Sequence, residues 1–147
     1  MRAASRLILA MLLGALCVPA LALDYRAAAR SSILYDSPSA AGKKLYIVAA
    51  DTPLEVVVTL EKWIKVRTHD GQLAWIARAD LSDHQTVEVT ADKAEIRQTP
   101  AEDAPVVFAA ARNVLLRVTG PAKAGWLPVA HADGETGFAR LVDVWGH

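Results

Sequence analysis

Trp63-Ile64-Lys65-Val66, followed by Asp70-Gly71, Trp75 and Asp80-Leu81, decides how this chain folds, because the same pattern returns later. Trp126-Leu127-Pro128-Val129, Asp133-Gly134, Phe138 and Asp143-Val144 carry the same residue classes at one constant offset of sixty-three. Upstream, Ile33–Pro38 (Ile-Leu-Tyr-Asp-Ser-Pro) has a weaker counterpart in Glu95–Pro100 (Glu-Ile-Arg-Gln-Thr-Pro) at an offset of sixty-two. The difference of one places an insertion in the intervening loop, where changes of length are best tolerated. Self-similarity at a fixed period marks a duplicated structural unit. The two units are residues 23–82 and 83–147. Units of this size bury only about 60% of their unfolded surface and are marginal alone. The two are therefore expected to pack together through the short Asp83-His84-Gln85 connection.

Within each unit the signals are those of short strands and tight turns. Leu54–Leu60 and its partner Val114–Thr119 are apolar, β-branched runs that suit a strand buried on at least one face. Trp63–Thr68 alternates, then meets Asp70-Gly71, a type I′ hairpin signal, then the strand Leu73–Ala77. The second unit repeats this around Asp133-Gly134. Ala27–Arg30 and Ala109–Arg112 are alanine-rich but too short to nucleate a helix without tertiary support.

Strand parity puts Trp63, Lys65 and Arg67 on one face and Ile64 and Val66 on the other. Lysine and arginine are seldom buried, so Ile64 and Val66 mark the core and Trp63 faces outward. A two-residue turn at Asp70-Gly71 sets Val66 opposite Trp75 and Val129 opposite Phe138, which makes Trp75 and Phe138 core fillers. A loop longer by one residue reverses that assignment.

The first residues read as an export signal. Arg2 and Arg6 precede the apolar run Leu7–Val18, and small residues at Ala20 and Ala22 suit a signal peptidase acting after Ala22. The run falls short of the ~20 residues a bilayer-spanning helix needs. A signal peptide over residues 1–22 and a periplasmic chain without a membrane anchor are therefore expected. Cys17, the single cysteine, lies in this segment, so cleavage removes disulfides, thiol nucleophiles and thiolate metal ligands together. Sixteen basic and sixteen acidic residues become fourteen and sixteen once Arg2 and Arg6 are removed, a net charge of −2. Nucleic acid selects basic surfaces and is excluded as a partner.

The order of signals, a turn with proline, an apolar strand, Trp-x-x-Val, an Asp-Gly hairpin, an aromatic strand and a closing Asp-apolar step, resembles the bacterial SH3-like (SH3b) domain. The second unit carries the pattern best, in Glu95-Ile96-Arg97-Gln98-Thr99-Pro100, Gly125-Trp126-Leu127-Pro128-Val129 and Gly137-Phe138-Ala139. The first departs from it at Tyr35, Lys62 and Ala74, where the family has arginine and two glycines. The resemblance implies an all-β chain of two tandem small barrels of about five strands each. It also implies an envelope role in which such modules bind peptidoglycan or accompany cell-wall enzymes.

Two readings of the aromatic residues stand side by side. In one, they cap and fill two small cores. In the other, Trp63 and Trp126, with Tyr35 and Tyr46, line grooves that stack on a sugar or an extended peptide, since aromatic rings give contact area at little entropic cost. Trp145 is expected to seal the second barrel or the junction. His69, His84, His131 and His147 show no zinc-ligand spacing, so neither metal nor cofactor is expected. Ser31, Ser32, Ser37, Ser39 and Ser82 sit in turn-like contexts with no nucleophile elbow. The expected function is non-catalytic binding of peptidoglycan or another wall-associated ligand, or alternatively of a second envelope protein as an adaptor.

Overall fold

The computed structural model describes residues 22–147; the expected export segment, Ala22 apart, lies outside the described residues. The first unit contributes strands β1 (Asp24–Ala27), β2 (Ser32–Tyr35), β3 (Lys44–Val48), β4 (Pro53–Thr59), β5 (Trp63–Arg67) and β6 (Leu73–Ala77). The second contributes β7 (Thr86–Val89), β8 (Lys93–Arg97), β9 (Val106–Ala111), β10 (Leu115–Val118), β11 (Trp126–Ala130), β12 (Thr136–Arg140) and β13 (Val144–Trp145). The short 3-10 turns Arg78–Asp80 and Leu141–Asp143 close equivalent corners. Among the described residues no helix is long and apolar enough to cross a membrane.

The strand orders are β1-β4-β5-β6-β2-β3 and β13-β7-β10-β11-β12-β8-β9. Matched from β1 and β7 onward, they are the same order, so the chain is all-β and built of two tandem SH3-like barrels. Each sheet has one or two strands more than the five expected. The extra β13 arises because Val144 and Trp145 pair with β7, where the first unit makes only a single bridge, Ala28 to Leu81.

The cores follow from strand parity. Ile64 and Val66 of β5, Ala74 and Ile76 of β6, Leu34 and Leu54 fill the first. Leu127 and Val129, Ala139, Ile96 and Leu116 occupy the matching positions of the second, joined by Val87, Val89 and Val144. Gly137 stands where the first barrel has Ala74; a Cβ there would lie 2.7 Å from both the Arg97 carbonyl oxygen and Ile96 Cγ2. The turn entering β4 and that entering β10 are also copies of each other. Asp51 and Asn113 take left-handed conformations (φ 64° and 68°) and donate their backbone N–H to the carbonyls of Ala28 and Val89, each at 2.8 Å. Aspartate and asparagine tolerate that region better than other residues with a Cβ.

The hairpins depart from the two-residue expectation. Thr68 N–H donates to Gln72 O, Gly71 N–H donates to Thr68 O, and Gly71 is left-handed at φ 85°. His131, Glu135 and Gly134 (φ 96°) repeat this arrangement. Each is a three-residue loop ending in a left-handed glycine, not a type I′ turn. The odd loop moves the register by one, pairing Lys65 with Trp75 and Pro128 with Phe138. Trp75 and Phe138 are consequently not core fillers: both point to the outer face, and Ala74, Ile76, Gly137 and Ala139 take the inner one.

The barrels meet along β1, β4 and β7. Tyr25 meets Trp145 edge to face, with centroids 5.2 Å apart at 82°. Thr86 Oγ1 donates to the Asp51 carbonyl at 2.7 Å, and within the second unit Gln85 Nε2 donates to the Gly146 carbonyl at 2.8 Å.

Candidate functional site

The odd hairpin loop that removes Trp75 from the core delivers it to the side of Trp63. Residues paired directly across antiparallel strands share a face. Lys65 pairs with Trp75, and Trp75 pairs in turn with Tyr35 of β2. Tyr35 and Trp63 form an edge-to-face pair with centroids 5.5 Å apart at 88°. The Lys65 ammonium lies 5.9 Å from the centroid of the Trp75 ring. All four side chains are partly buried and partly open to solvent. The outer face of the first barrel therefore presents three aromatic rings and one cation in a continuous patch, suited to stacking on the face of a sugar or along an extended chain.

The four residues singled out from the sequence do not converge. Tyr35 and Trp63 come together. Tyr46 does not join them: a register slip between Leu34 and Tyr35 pairs Lys44 with Tyr35 and leaves Tyr46 opposite Leu34. The Tyr46 hydroxyl instead donates to Gln72 Oε1 at 3.3 Å, in a groove between the barrels. Trp126, expected to line a surface, is only 7% exposed. In the register Trp63 sits opposite Ala77 and Trp126 sits opposite Arg140. Arg140 is held in place by Asp143, with Nε to Oδ2 at 3.0 Å and Nη2 to Oδ1 at 3.2 Å. That pairing raises the Arg140 pKa above its ordinary value, chiefly through the hydrogen bond to Asp143.

The rest of the second face is closed in the same manner. Arg97 stands where the first barrel has Tyr35, and its guanidinium donates to the Ala104 carbonyl and to Glu95 Oε2, each at 2.7 Å. Pro128 replaces Lys65 and Phe138 replaces Trp75. The second face thus carries paired cations and a buried indole where the first carries an aromatic patch.

Sequence reasoning also missed the polar contacts of the junction. His84 Nε2 is 2.7 Å from Asp51 Oδ1, and His84 Nδ1 is 2.6 Å from Ser82 Oγ. His69 Nδ1 lies 3.4 Å from Glu88 Oε2 of the second barrel. The Ser82–His84–Asp51 chain contains the residue types of a hydrolytic triad. Ser82 and His84 stand in the linker and Asp51 in the first barrel, so these contacts join the one to the other. Among the described residues no three of His, Cys, Asp and Glu converge as a metal site. At the junction, burial pushes the Tyr25 phenol above its ordinary pKa, and the nearby Glu55 carboxylate adds to this.

Comparison with solved structures finds two proteins of Trichomonas vaginalis, NlpC2 and NlpC1, and an NlpC/P60 family protein of Bacillus cereus. Identities are 10%, 12% and 14%, with TM-scores of 0.39, 0.38 and 0.40. The alignments cover 84%, 84% and 83% of this chain but only 48%, 45% and 56% of those proteins, so the chain spans about half their length. A comparison with curated proteins finds no match. The sequence-family description "Bacterial SH3 domain" matches twice, over residues 29–83 and 90–146. These two spans take in both hairpins and most of each core, and the chain belongs to the bacterial SH3 domain family in two tandem copies.

Proposed function

We propose that this chain is an exported, non-catalytic binding module of the cell envelope, which holds peptidoglycan or a wall-associated ligand against the outer face of its first barrel. The observation that carries the reading is the patch of Tyr35, Trp63 and Trp75 with Lys65 over the Trp75 ring. Three partly exposed rings next to a cation suit a ligand with flat, partly apolar faces and polar edges. Membership of the bacterial SH3 domain family supports a binding role, and the export segment expected over residues 1–22 supports a periplasmic one.

The test is co-sedimentation of the chain beginning at Leu23 with purified peptidoglycan sacculi at low salt. Binding is expected, and Trp75→Ala is expected to weaken it about tenfold, the loss of about 1.4 kcal/mol that one stacked ring supplies. Failure of the unaltered chain to pellet would overturn the wall-polymer reading in favour of the adaptor, in which the same face holds another envelope protein.

A further inference from the structure

We propose that the groove between the two barrels is a second binding site, separate from the aromatic face, which takes the ammonium-bearing side chain of an extended basic peptide. The groove has a volume of about 340 Å³, at the small end of the range for ligand sites, which favour the interfaces of domains. One wall is β3 with the loop that follows it, a second is the 68–72 hairpin, and the floor comes from Glu88, Asn113 and Leu115 of the second barrel. Neither barrel makes this groove alone.

Its chemistry selects the occupant. Two carboxylates, Asp70 and Glu88, line it, and among the described lining residues there is no lysine or arginine. Glu88 is 8% exposed, and among the described residues its one ionic contact is His69, at 3.4 Å. Asp70 accepts a hydrogen bond from the Thr68 hydroxyl, which holds its carboxyl below the ordinary aspartate range. Around these charges stand the apolar side chains of Ile47, Pro53 and Leu115. A long methylene stem along apolar walls with an ammonium at its tip matches that combination, because such stems bury readily while the charge seeks a polar partner.

The peptide is extended because of what borders the groove. β3 ends the strand order of the first sheet, so one of its edges has no strand partner among the described residues. Ile47 on that strand is 77% exposed and Tyr46 is 44% exposed. A free edge next to a pocket is the geometry of strand addition, in which the backbone pairs and alternate side chains enter pockets.

The probe is the capped peptide acetyl-Ala-Val-Lys-Val-Ala-amide, titrated into the full folded chain at about pH 8, where a free histidine is neutral, and followed by amide NMR shifts. Saturable shifts are expected at Tyr46, His69, Glu88 and Leu115, with no change at Tyr35 or Trp63. Replacing the peptide's lysine by norleucine is expected to weaken binding about tenfold, and Asp70→Asn, at an exposed carboxylate, about threefold. Glu88→Gln is expected to weaken it further, its fold checked by circular dichroism; Asp70 is exposed, so Asp70→Asn tests the charge without burdening the core. Equal binding of the norleucine peptide, shifts confined to the Tyr35–Trp63 face, or tighter binding of an uncapped peptide through its amino terminus would each overturn the proposal.

Discussion

Trp63 and Trp126 occupy the same position of the two repeats, and replacing each by alanine is expected to have opposite consequences. Trp126 is 7% exposed and pairs across the strands with Arg140. Truncating a buried tryptophan costs about 3–5 kcal/mol, a large share of the ~5–15 kcal/mol that holds a domain together. Trp63 is partly open to solvent and faces Ala77. Its truncation forfeits a fraction of that burial plus the edge-to-face contact with Tyr35, itself about 0.5–1.5 kcal/mol, or about 2 kcal/mol in all. Urea unfolding followed by far-ultraviolet circular dichroism measures both. With a slope of about 2 kcal/mol per molar urea, Trp126→Ala should move the midpoint down by about 1.5–2.5 M and Trp63→Ala by about 1 M. Sacculus binding should fall for Trp63→Ala under conditions where it remains folded, and should be unchanged for whatever fraction of Trp126→Ala is folded. Equal midpoint shifts, or a folded Trp126→Ala that no longer binds, would refute the argument that one face is open and the other covered.

The junction and the hairpins supply two further expectations. A Cβ at Gly146, whose φ is 113°, would lie 2.8 Å from the Thr86 carbonyl oxygen and 2.9 Å from Pro53 Cβ of the other barrel, whereas one at Gly71 (φ 85°) meets nothing within 4 Å. Gly71→Ala should therefore cost only backbone strain, about 1–3 kcal/mol. Gly146→Ala should cost about 1–3 kcal/mol more for the clash, and equal losses in a urea titration would contradict this. The second concerns acid. Asp70 is lowered chiefly by the Thr68 hydroxyl, and Asp133 chiefly by the Glu135 backbone N–H with His131 next. A depressed carboxyl contributes stability above the unfolded value of about 3.9 and loses it as pH falls through the folded value. Thermal unfolding of Asp70→Asn/Asp133→Asn should thus depend less on pH below about 4 than that of the unaltered chain. Parallel curves would contradict this.

The duplication, the strand positions and the inward residues of β5 and β11 were legible because each rests on a pattern several residues long. Lys65 and Arg67 alone settle which side of β5 is inner. What could not be read was one unit of loop length. Asp-Gly serves both a two-residue hairpin and a three-residue loop that closes on a left-handed glycine, and the difference is whether His69 and Ala132 belong to the strand or to the loop. That single residue decides the facing of Trp75 and Phe138, and with it whether the first barrel has an aromatic patch or two isolated rings. The burial of Trp126 was beyond reach as well, because Trp63 holds the same position of the repeat and is only partly buried. Tyr46 was separated from Tyr35 by a slip between β2 and β3 that leaves no mark in the residue pattern.

Duplication commonly invites the expectation of two equivalent sites, and here the side chains argue for one on the barrel faces. The positions that build the scaffold are matched in both copies: the inward pairs Ile64/Leu127 and Val66/Val129, the left-handed Asp51 and Asn113, and the hairpin glycines Gly71 and Gly134. The outward positions differ in kind, with Tyr35 against Arg97, Lys65 against Pro128 and Ala77 against Arg140. The partner of the corner aspartate differs as well. Asp143 engages Arg140, which pairs with Trp126 across the strands, while the equivalent Asp80 engages Arg30, from the turn before β2. The corner ion pair is thus drawn from a different part of the chain in each copy, alongside a buried Trp126 and a partly exposed Trp63. The second barrel's contribution to binding then lies at the junction, where Glu88, Asn113 and Leu115 complete a groove that the first barrel does not form alone. A chain built this way holds one ligand by its aromatic face and has reason to keep both barrels docked.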